Sequence, residues 1–289
     1  MAQGLTPNTT YTFQAKARNQ DGVETPYSPA ATRTTMIENR GVTAGNATTD
    51  SVEIRADGAL TNLGLGSSGV YFDCTTEGVS GGIKTWGRTS SVTVTGLMPG
   101  TCYAFRLKAR NRDSVETPYS ATADLCTLAN VPGMPALADP TSSTLGLDLD
   151  ANGNSAETEF AVQCTATVPL DATWVGKYVD SAGLATDTAA WQTKAAWAAT
   201  TVRNLKRATS YTLEVKARNP DGVETAFGAP ATVQTGSTGD TPTGQTAGAC
   251  GAGAGCSSGV LLMVPSVLIG LGWMRHQRRW SGKRTEPGK

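Results

Sequence analysis

Nucleophilic and metal chemistry need histidine, cysteine or paired carboxylates, and this chain of 289 residues uses them sparingly. Its one histidine, His276, stands in a basic C-terminal tail. No imidazole is therefore available elsewhere to activate a serine, threonine or cysteine. The six cysteines, Cys74, Cys102, Cys126, Cys164, Cys250 and Cys256, form no CxxC pair and no metal-like spacing, so no zinc or other metal site is expected. Asp and Glu number 24 together, and glycosidase chemistry needs only two, but nothing singles out a pair. The glycine-rich GLGSSG (Gly64–Gly69) lacks both a lysine and a following helical pattern, so it does not read as a phosphate cradle. No catalytic activity and no cofactor are expected of these residues.

What the chain does repeat is a short polar string. KARNQDGVETPYS (Lys16–Ser28) returns as KARNRDSVETPYS (Lys108–Ser120) and as KARNPDGVETAFG (Lys216–Gly228). Each copy ends a segment of strict period-two alternation. Tyr11, Phe13, Ala15 and Ala17 share one face, as do Tyr103, Phe105, Leu107 and Ala109, and Tyr211, Leu213, Val215 and Ala217. Alternation of this kind is a β-strand with one face on a core and one in water. The tyrosines lie 92 and 108 residues apart, a spacing that fits modules large enough to bury their own cores. It is too long for helical solenoids, whose periods run about 20–50 residues. Asp21-Gly22 and Asp221-Gly222 are strong hairpin signals, and the asparagine of each string suits the exit from a strand. Formal net charge is zero, with no basic stripe carrying interleaved aromatics, so a nucleic-acid partner is not expected.

The segments before the strings carry Leu-x-Pro-x-Thr-x-Tyr: Leu5, Pro7, Thr9, Tyr11 and Leu97, Pro99, Thr101, Tyr103. The third keeps Leu205, Thr209 and Tyr211 but has Arg207 in the proline position. This pattern resembles the fibronectin type III module, a seven-strand β-sandwich of immunoglobulin-like architecture. The resemblance implies an all-β chain of tandem sandwiches. It also implies that Tyr11, Tyr103 and Tyr211 form tyrosine corners, each hydroxyl bonding backbone a few residues upstream. The string then lies at the end of strand F and in the F–G hairpin.

The organisation that follows is a partial module over 1–36 with strands F and G only, and modules over 37–130 and 131–236. A Gly/Ser/Thr-rich linker (237–259), an apolar segment (260–274) and a basic tail (275–289) complete the chain. A lone hairpin is marginal in water, so the natural polypeptide is expected to extend upstream of Met1. With strand F running into strand G about a loop near Ser114, Cys102 falls opposite Cys126, both on the outward face, and a cross-strand disulfide is reachable. Cys74 and Cys164 share parity with core residues and read as buried thiols. The third module has a long insertion with Trp174, Trp191 and Trp197. These fill a core, or Trp191 and Trp197 stack on a glycan.

VLLMVPSVLIGLGWM (Val260–Met274) is uncharged and is followed by RHQRRW. Trp273 fits an interfacial anchor, and Arg275, Arg278 and Arg279 fit the positive-inside rule for a membrane helix, though the run is short and Pro265 would kink it. Linker, cysteines, apolar run and basic end resemble bacterial cysteine-containing C-terminal sorting signals of the type typical of myxobacterial surface proteins. By that resemblance Cys250 or Cys256 is the processing or lipid-bearing residue; retention as a single-pass anchor is the alternative. Two functions fit: a non-catalytic, envelope-anchored cell-surface array of spacer, adhesion or interaction modules meeting protein or polysaccharide, or accessory modules of a larger secreted polysaccharide-active enzyme.

Overall fold

The computed structural model describes residues 2–237 except 80, 82 and 199. The described chain is nearly all β-structure. Its first module is an antiparallel hairpin of β1 (Thr10–Phe13) and β2 (Ala31–Thr34). Phe13 is 43% exposed, because no second sheet covers its face among the described residues.

The second module has seven strands in two sheets. One sheet orders β3 (Val42–Ala47), β4 (Ser51–Ala56) and β7 (Ser91–Thr95); the other orders β6 (Trp86–Gly87), β5 (Gly69–Cys74), β8 (Cys102–Arg110) and β9 (Ala123–Cys126). Val52, Ile54 and Val94 of the first sheet meet Val70, Phe72, Phe105 and Leu107 of the second in one apolar cluster. Burial along β8 alternates residue by residue, so the period-two pattern of the sequence is the sandwich itself. This sandwich order is the fold class expected of the repeat.

The third module repeats the plan with insertions. A sheet of β10 (Ala136–Ala138), β11 (Leu145–Asp148) and β16 (Thr201–Val202) faces a larger one. That second sheet orders β14 (Ala185–Thr186), β13 (Tyr178–Val179), β12 (Glu159–Val168), β17 (Ser210–Arg218) and β18 (Ala231–Gln234), with β15 (Gln192–Thr193) pairing the start of β12. A single turn of helix, α1 (Lys194–Trp197), drops Trp197 into the core. No helix among the described residues is long and apolar enough to cross a membrane. Cys250, Cys256, Trp273, Arg275, Arg278, Arg279 and the apolar run 260–274 lie outside the described residues.

Candidate functional site

The three strings form three copies of one hairpin. The backbones of Arg18, Arg110 and Arg218 pair antiparallel with those of Glu24, Glu116 and Glu224 as single β-bridges. Within each hairpin the lysine pairs the same glutamate: Lys16 with Glu24, Lys108 with Glu116 at 2.6 Å, and Lys216 with Glu224 at 2.6 Å. The asparagine closes the turn, its Oδ1 accepting the N–H of Val23, Val115 or Val223 at 2.8–2.9 Å. Ser114 stands where the other copies have glycine and adopts the same left-handed conformation, φ +66°.

The other end of that asparagine does something the sequence did not announce. Asn111 Nδ2 donates to the Thr35 carbonyl of the preceding module at 3.1 Å, and Asn219 Nδ2 donates to the Thr127 carbonyl at 3.0 Å. Thr35 and Thr127 are equivalent: each hydroxyl accepts from the N–H of the Thr that precedes the corner strand, Thr9 or Thr101. Asn111 and Asn219 are buried, while Asn19 is exposed. The two junctions otherwise differ. At the first, Asn8 accepts from the Arg112 N–H (2.8 Å) and donates to the carbonyls of Thr61 and Asn62. At the second, Ser155 Oγ donates to the Gly100 carbonyl at 2.6 Å, and its N–H donates to the Pro99 carbonyl. Gly100 has φ +61°, and a Cβ there would stand 2.1 Å from Thr158 Oγ1, so only glycine admits this approach. Sequence reasoning found these asparagines and missed this role. The one available signal was their recurrence at module spacing.

The outward face of strand F interleaves cations with rings. Arg106 lies 4.1 Å from the Tyr119 ring centroid, Lys108 lies 5.1–5.5 Å from Tyr71, Trp86 and Tyr119, and Arg110 lies 4.4 Å from Trp86. In the third module Lys216 and Arg218 lie 5.2 and 4.6 Å from Trp191. Such contacts are worth about 0.5–2 kcal/mol each, more where water is excluded.

This arrangement places the two tryptophans considered for glycan contact differently. Trp197 is 0% exposed and its Nε1–H donates to the Phe160 carbonyl at 2.9 Å, so it is core and meets no ligand. Of the two readings Trp197 takes the core one and not glycan contact, and the reason is α1, which turns the ring inward. Trp191 is half-buried with the Arg218 guanidinium over its ring. Trp174 is also buried, its Nε1–H donating to the Asn204 carbonyl at 3.2 Å.

The corner tyrosines act on backbone five residues upstream. Tyr11, Tyr103 and Tyr211 hydroxyls accept from the N–H of Thr6, Met98 and Lys206 at 2.7–2.8 Å. Tyr211 also donates to Asp171 Oδ2 at 2.8 Å, and Lys206 Nζ lies 3.1 Å from Oδ1. Burial pushes the Asp171 carboxyl up, but hydrogen bonds from Tyr211 and Lys206 outweigh it and hold it below its ordinary value. Burial raises the Tyr211 hydroxyl, with Asp171 adding to the shift.

Cys102 and Cys126 are paired in the β8–β9 register and joined as a disulfide. Thr127 N–H donates to the Thr101 carbonyl beside them, so the cysteines occupy a non-hydrogen-bonded pair. Their Cα atoms are accordingly close, at 3.9 Å. Cys126 is buried rather than outward, because the end of β9 passes the first sheet, where Leu128 N–H donates to the Thr48 carbonyl. Cys74 and Cys164 are buried free thiols, and burial pushes the Cys164 thiol up to about 12. No group of metal-ligating residues that could hold an ion occurs among the described residues.

No family model matches the chain, and no curated protein matches it. Solved structures are similar to it. The FN1–FN3 domains of chicken CNTN1 are 16% identical, with a TM-score of 0.30, over 80% of this chain and 76% of that one. A segment of two fibronectin type III domains from chicken tenascin is 11% identical, with a TM-score of 0.39, over 68% of this chain and all of that one.

Proposed function

We propose that this chain is a non-catalytic array of fibronectin type III-like β-sandwich modules that spaces and presents interaction surfaces at the outside of a bacterial cell. The observation that carries this reading is the repeated junction bond, Asn111 to Thr35 and Asn219 to Thr127. A side chain spent on holding the next module in register serves an array. The tail supports the anchoring half of the proposal from sequence: the apolar run 260–274, Trp273, the arginines at 275, 278 and 279, and Cys250 or Cys256 as the processed residue.

Two measurements on the full chain test it. With a donor–acceptor dye pair on modules two and three, Asn219→Ala should broaden the distance distribution between them, since a net hydrogen bond is worth about 1 kcal/mol. A distribution unchanged by Asn219→Ala and by Asn219→Asp would remove the junction role. Protease shaving of intact producing cells should release modules two and three, and Cys250→Ala or Cys256→Ala should leave them behind the envelope. Modules that resist shaving in the unmodified chain would sink the display reading.

A further inference from the structure

The outward face of the second module's four-stranded sheet is organised in rows across its strands. In one row Asp73 lies between two cations: Arg106 Nε and Nη2 reach Asp73 Oδ2 at 2.9 and 2.8 Å, and Lys84 Nζ lies 3.9 Å from Oδ1. The next row is Trp86, Tyr71 and Lys108. Beyond it, Gly69 pairs with Arg110, and continuing the β5–β6 register past Gly87 sets Arg88 on its other side. Two cations again flank the middle strand, but the residue between them has no side chain.

The third module shows what is missing. There the residue opposite the string's arginine is Glu159, and Arg218 Nε and Nη2 both reach Glu159 Oε2, at 2.7 and 2.6 Å. Arg110 has no acidic partner among the described residues, and its Nε is buried without an acceptor. Leaving such a donor unsatisfied costs more than a net hydrogen bond returns. Its plane is already set by Trp86. Arg88 is tethered close by, donating to the carbonyls of Gly64 (3.1 Å) and Gly66 (3.4 Å).

We propose that Arg110, with Arg88 beside it, binds a carboxylate supplied by a ligand where Gly69 presents no side chain, and that the carboxylate is the uronate of an acidic polysaccharide. A planar guanidinium suits a carboxylate, and the pair is strong when partly desolvated. The neighbouring surface is aromatic: the Tyr71 ring lies 5.4 Å from Trp86 and 6.5 Å from Tyr119, and all three remain partly accessible. Half-exposed rings beside a cation suit a charged sugar. The middle strand β5 offers a peptide no free backbone, since it is paired on both sides. The inference names a ligand for the interaction role above, but binding is read on the purified chain and display on cells, so the two fail separately.

The test titrates oligogalacturonate into the full chain by calorimetry, with its methyl ester and poly-glutamate as comparisons. Arg110→Gln should weaken binding by about tenfold or more, the loss expected for one charged hydrogen-bonding partner. Arg218→Gln, whose arginine is already satisfied, should leave binding unchanged. Gly69→Glu, which copies the third module, should abolish it; a Cβ there crowds the Gly87 carbonyl at 2.8 Å, so its melting curve is compared with that of Arg110→Gln. Glu159→Gly should add a second site and double the stoichiometry. Unchanged affinity in Arg110→Gln, or equal binding of the methyl ester, overturns the site. Poly-glutamate binding as tightly as oligogalacturonate overturns the sugar assignment.

Discussion

The second and third modules carry the same strand F, alternating in and out over nine residues, yet they hold it by different means. In the second, Pro99 precedes a corner whose tyrosine makes one backbone bond, and a disulfide joins β8 to β9. In the third, Arg207 replaces the proline and Ser210 pairs with Gln234 where the disulfide would be. That module instead buries Trp174 and Trp197 and grips its corner tyrosine with Asp171. A covalent staple and a larger core with a buried carboxylate are alternative ways to fix one strand. The difference shows that the strand pattern is common property, while its stabilisation is local to each module.

The contrast breaks most sharply at Trp197. Trp197→Ala removes a fully buried ring and leaves the Phe160 carbonyl without its donor, and should destabilise the third module by about 3–5 kcal/mol. Denaturant unfolding followed by fluorescence should show the second module's transition unmoved; a loss under about 1 kcal/mol would mean the core collapses around the gap.

Reduction, or paired Cys102→Ser and Cys126→Ser, addresses the staple. The bridge closes a separation of 24 residues, and its loss should lower the second module's stability by about 2–4 kcal/mol. The third module's transition should stay in place. Identical shifts in both transitions would show that the modules unfold as one unit.

The smallest effect concerns Asp171. Because its folded pKa is depressed, its contribution is complete above the ordinary carboxylate value and disappears as pH falls through the lower folded value. Asp171→Asn should therefore cost about 1–3 kcal/mol at neutral pH and flatten the acid limb of the third module's stability curve. An acid limb unchanged in slope would place the carboxylate outside the stabilising set. Among the described residues the second module has no carboxylate on its corner tyrosine, and its acid limb provides the reference.

Much of this was legible in residue order. Alternation in the segments Tyr11–Ala17, Tyr103–Ala109 and Tyr211–Ala217 identified the strands, because parity along a strand is a local property. The register that opposes Cys102 to Cys126 followed from counting outward from Ser114. Parity did not reveal which face was dry at Cys126, since that depends on the other sheet. The tryptophans were ambiguous for a similar reason: an insertion's rings point inward or outward according to a short helix whose position no periodicity marks.

Residue order alone thus settles how many modules the described chain contains, where their F strands run and which residues turn the hairpins. Those features depend on neighbours a few positions away. Folding in three dimensions settles what each polar side chain meets. The Asn219 amide finds Thr127 of another module, and Arg218 finds Glu159 where Arg110 finds Gly69. Such partners sit 41 to 92 positions off in the chain, on strands brought together by burial of the apolar faces. The hydrophobic pattern chooses the sandwich, and the sandwich chooses the polar pairs.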